Sequence, residues 1–378
     1  MAKKDSRGKT AAFAEFFAGV GLMRMGLERA GWRCAFAHDI DANKRALYDA
    51  QFGDADAHYM LGDIHELDAR TVPDVALATA SFPCTDLSLA GARRGLNSGQ
   101  SSAFWGFVRV LRDMDARRPS LLLIENVPGF LTSHGGRDFV AAMRALNELG
   151  YAVDPFIVDA AYFVPQSRQR LFIVGAQECG TASLGCASLN ADAENESRPA
   201  ALLSIIKKQP EIHWCLRNLP PLPECKRTLR DVIEALPPDD AQWWSEERTR
   251  YLLSQMSERH RAQTEAMTAG ADWSYGTIFR RVRKGRTMAE LRVDGRAGCL
   301  RTPKGGSARQ ILLMAGRGQC KVRLLTAREC ARLMGANDFP CGASLNQMLF
   351  AFGDAVCVPV VEWIARNRLI QETEIKTE

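Results

Sequence analysis

Short apolar runs alternate with helical stripes through the first half of the chain. Ala12 to Phe17 reads as a strand, and Ala18-Gly19-Val20-Gly21 leads from it into a helix that Gly31 ends. A strand at Arg33 to His38, a helix from Asp41, a strand at Asp74 to Ala80, a helix across Phe104 to Asp115 and a strand at Leu121 to Glu125 follow. Phe139, Met143, Leu146 and Leu149 step by four and three, the stripe of a helix packed on a sheet, and Gly150 closes it. This alternation predicts an α/β fold built on a doubly wound, mostly parallel sheet. Ligands in that architecture bind at the carboxyl ends of the strands, where both Gly19 and Cys84 fall.

The rhythm breaks after Gly175. Gln177 to Pro238 is rich in Ser, Ala, Asn and Pro without a sustained period, and predicts a linker with irregular surface structure. Order returns near the end, where Thr326-Ala327-Arg328-Glu329 reads as a capping box opening a helix that Gly335 stops. Pro359 suits the first turn of a terminal helix carrying Val360, Trp363 and Ile364. The divisions expected from these changes are 11–177, 178–320 and 321–378, with the last stretch returning to the first.

Charge sharpens that division. Gly276 to Arg323 holds thirteen Lys or Arg against two acids, a local balance of +11, while the whole chain carries only +5. A positive field gathered into one segment is what a phosphate-tracking surface requires, although a solvated basic face has the same composition. The 46% hydrophobic and 25% charged content is that of an ordinary globular protein, with no apolar run long enough to span a bilayer. Met1 to Thr10 is polar and basic with no apolar signal core, so secretion is not expected. The eleven cysteines form no C-x-x-C pair, which predicts reduced thiols in a cytoplasmic protein and no zinc site.

Candidate chemistry gathers at a few positions. Cys84, in Ser81-Phe82-Pro83-Cys84-Thr85-Asp86, follows a proline at the end of an apolar strand, and Glu125 in Glu125-Asn126-Val127 closes another. A thiol and a carboxylate so placed form a nucleophile and acid pair. The glycine turn after the first strand lets a ligand approach the backbone, but the third glycine of a dinucleotide motif is replaced by Arg24, which disfavours NAD. Asp39, ending the second strand, can accept from both hydroxyls of a ribose, and Asp63 from a ring amino group; each alone reads more readily as a cap or turn residue. Arg168 and Arg170 stand two apart in an extended segment and so on one face. A zinc deaminase would also use Pro-Cys but needs P-C-x-x-C, and Leu87 occupies the second cysteine's place.

Taken in order, these elements resemble the DNA (cytosine-5) methyltransferases of the bacterial restriction-modification type. The chain shows the turn at Gly19, the acids Asp39 and Asp63, Pro83-Cys84, Glu125-Asn126-Val127, Gln166-Ser167-Arg168-Gln169-Arg170, a helix at Arg323 to Gly335 and Gly353-Asp354-Ala355-Val356. The resemblance implies the fold of S-adenosylmethionine-dependent methyltransferases, with a smaller, irregular target recognition domain at 178–320. It implies that Phe17, Gly19, Gly21, Asp39, Asp63, Pro83 and Asp354 bind S-adenosylmethionine. Cys84 would attack carbon 6 of a cytosine flipped out of double-stranded DNA, Glu125 would hold ring nitrogen 3, and Arg168 and Arg170 would reach the carbonyl oxygen and a flanking phosphate.

DNA contacts are expected from Ser88, Arg93 and Arg94, in a glycine-rich loop that closes over the base, and from Arg280, Arg281, Arg301, Lys304 and Arg309. A cognate restriction endonuclease acting separately would be the functional partner. Two departures stand out: Thr85 replaces the Gln common after the nucleophile, and Asp354 the Asn usual after the glycine of the last motif. A tRNA cytosine-5 methyltransferase of the same fold and a catalytically silent DNA-binding regulator remain the alternatives, with the long basic region favouring duplex DNA.

Overall fold

The structure, a computed structural model, describes residues 11–83, 102–177, 194–283, 285–303 and 309–369. They form two compact units, the larger drawn from Met1–Asp159, Gln169–Pro221 and Val360–Glu378, the smaller from Ala160–Arg168 and Leu222–Pro359.

The larger unit is an α/β sheet. In chain order it contains β1 (Ala12–Phe16), α1 (Leu22–Arg29), β2 (Arg33–Asp39), α2 (Ala42–Gln51), β3 (Tyr59–Leu61), β4 (Leu77–Ala80), α3 (Ala103–Asp113), β5 (Leu121–Asn126), α4 (Arg137–Glu148), β6 (Tyr151–Asp159), β7 (Gln169–Gln177) and α5 (Ala200–Lys208). The sheet order is β3-β2-β1-β4-β5-β7-β6. β1 to β5 run parallel, while β7 is antiparallel to both β5 and β6. Every residue of β1, β4 and β5 is buried, as strands covered on both faces require, and this is why they read as near-continuous apolar runs. Pro155 sits in β6 without breaking the ladder because β6 is the sheet edge. From β1 the chain winds out to β3, then returns to β4 on the other side, so the topological switch lies between β1 and β4. The loops after those two strands therefore flank the crevice where such sheets take ligands.

The smaller unit is built round a four-stranded antiparallel sheet, order β11-β10-β8-β9. Its elements are α6 (Glu246–Ser254), α7 (Glu258–Ala269), β8 (Ser274–Arg283), β9 (Arg286–Arg292), β10 (Ile311–Gly316), β11 (Gln319–Leu324), α8 (Ala327–Leu333) and α9 (Leu345–Asp354), after which α10 (Val358–Ile364) leads back to the larger unit. Leu252, Met256, Ile278, Leu291, Ile311, Leu313 and Val322 form its own core. Thr326 and Glu329 make the reciprocal capping box that the sequence predicts for α8. Gly335 at φ 72° ends that turn, and a Cβ there would lie 2.3 Å from Pro359.

One expectation needs correction. The stretch Gln177 to Pro238 is not irregular throughout: α5 lies inside it, with Leu202, Leu203 and Ile206 joining the core of the larger unit. Residues 194–221 group with the larger sheet, and β11 continues the smaller one across residue 320. Charge marks a surface, whereas strand pairing decides a domain. Leu345–Leu369 is long and apolar enough by composition to cross a membrane, with a mean hydropathy of 1.7, but 67% of the window so measured is buried within the protein. An apolar helical run of that kind is also what a core demands.

Candidate active site

The turn after β1 is held by an acid. Phe17 and Gly19 both adopt left-handed backbone, at φ 60° and 56°, and Gly21 follows at φ 80°. Such a conformation is strained for Phe17 and marks a place where function outweighs local preference. Gly21 is needed for space as well, since a Cβ there would lie 2.3 Å from the Phe52 ring, whereas at Gly19 it would meet only the Lys44 stem at 3.9 Å. The Gly19 N–H donates to Asp39 Oδ2 at 2.8 Å, and the Asp41 N–H donates to Asp39 Oδ1 at 2.9 Å. Asp39 thus fastens the turn to the end of β2 while each oxygen keeps acceptor capacity for a hydroxyl.

Asp63 is brought to the same edge of the sheet. β2 and β3 pair with Asp39 opposite Leu61, and the Gly62 N–H donates to the Asp39 carbonyl at 3.0 Å. One Asp63 oxygen accepts from the His65 N–H at 2.9 Å, the turn role that its sequence context also allows. Between the acids lies an apolar surface that sequence reasoning misses: Ile40 is 67% exposed and Leu61 47%. The available signal is an apolar residue directly after the strand-ending Asp39.

Beneath this turn sits a second missed feature. Glu15, in the middle of β1, is buried and its Oε2 has no hydrogen-bond partner. Burial pushes its carboxyl up to about 8, against the pull of Arg24, whose side chain and backbone N–H both favour the ionised form. Arg24 occupies the position of the missing third glycine and is a hub: it donates to Glu28, to the Tyr48 hydroxyl and to both oxygens of Asp54. It also stacks 3.9 Å over the Phe52 ring, the ring that closes on Gly21. Glu15 stays neutral in the folded chain up to about pH 8, but ionises near 4.5 when unfolded. Stability is therefore expected to fall as pH rises through that window. Glu15→Gln should flatten the fall, measured as denaturant midpoints at pH 5, 6.5 and 8; identical pH profiles for variant and parent would contradict it.

The reactive side lies on the neighbouring strands. Ala80 of β4 pairs with Ile124 of β5, and beyond the ladder Asn126 Nδ2 donates to the Phe82 carbonyl at 3.2 Å. Asn126 therefore pins the segment entering Pro83 against the end of β5, where Glu125 stands, 5% exposed. Arg170 of β7 reaches across to Glu125, Nε to Oε1, at 2.9 Å. Cys84 itself lies outside the described residues, as do Thr85, Ser88, Arg93, Arg94 and Lys304.

Arg168 directly precedes β7, and its carbonyl accepts from the Ala160 N–H at 3.0 Å. Arg168 belongs to the smaller unit, where its guanidinium is buried and donates to the carbonyls of Leu300 (2.8 Å), Gly353 (2.9 Å) and Ala355 (2.5 Å). Gln166 works beside it, donating to Leu333 O at 2.8 Å and accepting from Leu300 N at 2.9 Å. Gly353 makes room for this, because a Cβ there would fall 2.4 Å from the backbone of Thr302. Asp354, the last residue of α9, is exposed. Replacing Arg168 by Ala strands several buried carbonyls, so a loss of about 2 to 4 kcal/mol in stability is expected, the scale for breaking a buried charged network. Thermal melting unchanged within about 1 °C would contradict that role.

Among the basic residues, Arg280 is half-buried, Arg281 and Arg301 are exposed, and Arg309 donates to Asn346 Oδ1 at 2.9 Å. Arg323 departs from the surface pattern. It is fully buried against Glu329, with contacts of 2.5 and 2.7 Å, so it belongs to the core of α8's cap and not to the positive face.

Residues 11–369 match the C-5 cytosine-specific DNA methylase family. The chain belongs to that family. It is a DNA cytosine-5 methyltransferase by this membership, with a methyltransferase fold. The type II methyltransferase M.DsaV of Dactylococcopsis salina is 27% identical over 365 residues, covering 96% of this chain and 86% of its own. The type II methyltransferase M.HhaI of Haemophilus parahaemolyticus is 25% identical over 366 residues, covering 96% of both. The Dnmt2 methyltransferase of S. pombe shares the fold, with a TM-score of 0.59 at 18% identity over 94% of this chain and 96% of its own.

Proposed function

We propose that this methylase transfers a methyl group from S-adenosylmethionine to carbon 5 of a cytosine in one short duplex DNA sequence, through a covalent adduct with Cys84. The observation that carries the reading is the edge of the larger sheet. There the Asn126–Phe82 hydrogen bond holds the entry to Pro83-Cys84 beside Glu125, and the glycine turn after β1 stands on the other side of the switch point.

The cofactor residues fit the group they are assigned. Open space at Gly19, a strained Phe17, a carboxylate at Asp39 with acceptor capacity and exposed apolar Ile40 suit a close-approaching chain, a ribose and a flat ring. Asp63 and Pro83 would complete that pocket from the larger unit, and Asp354 is assigned to it by its motif. The cofactor, when bound, supplies an electrophilic methyl group.

The chain's own residues make the base reactive. Carbon 5 of cytosine is a poor nucleophile within the aromatic ring. Addition of the Cys84 thiolate to carbon 6 breaks the aromaticity and makes carbon 5 nucleophilic. After the methyl is accepted, loss of the carbon 5 proton restores the double bond and expels the thiolate. Glu125 holds a proton at ring nitrogen 3 and accepts from the exocyclic amine, offsetting the charge that develops on addition. Arg170 orients that carboxylate through its 2.9 Å contact. Arg168 is assigned no contact with the base; it positions the smaller unit's own segments.

The target must leave the helix to be reached, and the basic segment of the smaller unit would hold the duplex while it does. The type II relatives support a place in restriction-modification, with a separately acting endonuclease of the same specificity, in the bacterial cytosol. Bisulfite sequencing of DNA from cells expressing the protein tests the reading. Protected cytosines confined to one short motif are expected, and a folded, expressed protein that leaves every cytosine convertible would overturn it.

A further inference from the structure

β8 is longer than the sheet that holds it. β10 pairs with β8 only from Ser274 to Ile278, whereas β9 follows β8 out to the Arg283–Arg286 pair. On the outer side, the bridge to Met256 touches β9 at Ala289. Past those points, among the described residues, Arg281–Arg283 and Arg286–Met288 form ladder pairs only with each other. They form a two-stranded ribbon about 10 Å long at the usual rise per residue. Gly285 at φ 74° supplies the left-handed residue that a tight two-residue turn demands.

An isolated ribbon has little stability of its own, so its side chains should show what it is for. Between Phe279 and Glu290 the sequence places five cations and one acid. The two faces differ. On one, Glu290 holds Arg281 at 3.4 Å and Arg283 at 3.1 Å, and Arg281 stacks 4.6 Å over Phe279, so the cations are prearranged. On the other, Val282 stands opposite Thr287, with Arg280 towards the root. Val282 is 66% exposed, an apolar side chain near the tip of a basic hairpin.

We infer that this ribbon lies in the major groove of the substrate duplex, with Val282 and Thr287 reading base edges and the arginines gripping phosphates. The inference rests on the proposed action on duplex DNA. The groove is about 12 Å wide and admits a two-stranded ribbon. A small apolar group beside a hydroxyl suits a thymine methyl and a neighbouring donor or acceptor, and long arginines span to the phosphates on either wall. The exposed Val282 is then the reader, and the Glu290-ordered arginines set its depth.

The test is methylation of a random-sequence duplex library by the full-length protein, read by bisulfite sequencing. Compared are the parent, Val282→Ala, Thr287→Ala and Arg283→Ala, each checked for an unchanged melting temperature. Val282→Ala and Thr287→Ala are expected to relax the modified motif by roughly tenfold or more at one or two adjacent positions, with the other positions kept. Arg283→Ala is expected to slow modification of all sites alike and to flatten the salt dependence of DNA binding. A motif unchanged in both Val282→Ala and Thr287→Ala, or a uniform slowing with no change of motif, would overturn the reader role while leaving the proposed reaction standing. A parent that modifies no site would overturn the DNA reading and the ribbon with it.

Discussion

Cys84→Ser is expected to abolish methyl transfer, leaving cofactor and DNA binding within a few-fold of the parent. A serine hydroxyl fills the space of the thiol, but its proton is held too tightly for an alkoxide to form at neutral pH, whereas a thiol titrates within a unit or two of it. Without the adduct at carbon 6, carbon 5 has no electron density to offer, so no part of the reaction survives. Cys84 follows Pro83 directly in sequence, and Asn126 fastens Phe82, two residues before it, to the end of β5 where Glu125 stands. The described cysteines Cys34 and Cys330 are buried, with burial pushing the Cys34 thiol up to about 12 and raising that of Cys330, so neither offers a thiolate instead. Transfer of labelled methyl groups to DNA measures this directly. Residual turnover within tenfold of the parent would remove Cys84 as nucleophile.

Glu125→Gln should slow the reaction by about a hundredfold or more, the loss expected for one acid–base group. Glutamine has the same length and can still accept a hydrogen bond, but it cannot donate a proton to ring nitrogen 3 as a carboxylic acid does. It also loses its charge towards Arg170, which is only 14% exposed in its side chain and would be left facing a neutral amide. The effect should fall on kcat far more than on KM for DNA, because the interaction strengthens only as the adduct forms. An unchanged kcat at saturating DNA would take Glu125 out of the chemistry.

Much of the larger sheet is legible in the sequence because it is mostly parallel and buried. β1, β4 and β5 are apolar throughout or nearly so, and their carboxyl ends carry short, chemically distinctive segments: a glycine turn, Pro83-Cys84 and Glu125-Asn126. β3, with three residues, is too short to carry a period, and Asp63 is legible from its motif alone. α5 escapes a reading by pattern because its apolar residues occupy one and a half turns inside a polar stretch.

The other differences share a cause: composition does not show what packs against a side chain. Arg168 looks like Arg170's twin, yet its carbonyl partners lie 132 to 187 residues on. Arg323 counts towards a basic surface by composition, but Glu329 buries it. Glu15 reads as an interruption of an apolar strand, and only its burial beneath the glycine turn shows how unusual it is. Composition records charge, whereas only packing decides whether that charge faces water.

The covalent step is the centre of the proposed mechanism, and trapping it is the most direct test. A duplex carrying 5-fluorocytosine at the modified position should be incubated with the protein and S-adenosylmethionine, then resolved under denaturing conditions. Fluorine cannot leave carbon 5 as a proton does, so the bond between Cys84 and carbon 6 should persist. A protein–DNA band that survives denaturation in the parent and is lost in Cys84→Ser is the predicted result. Methyl transfer to ordinary DNA with no such band on the fluorinated duplex, or a band that remains in Cys84→Ser, would contradict it.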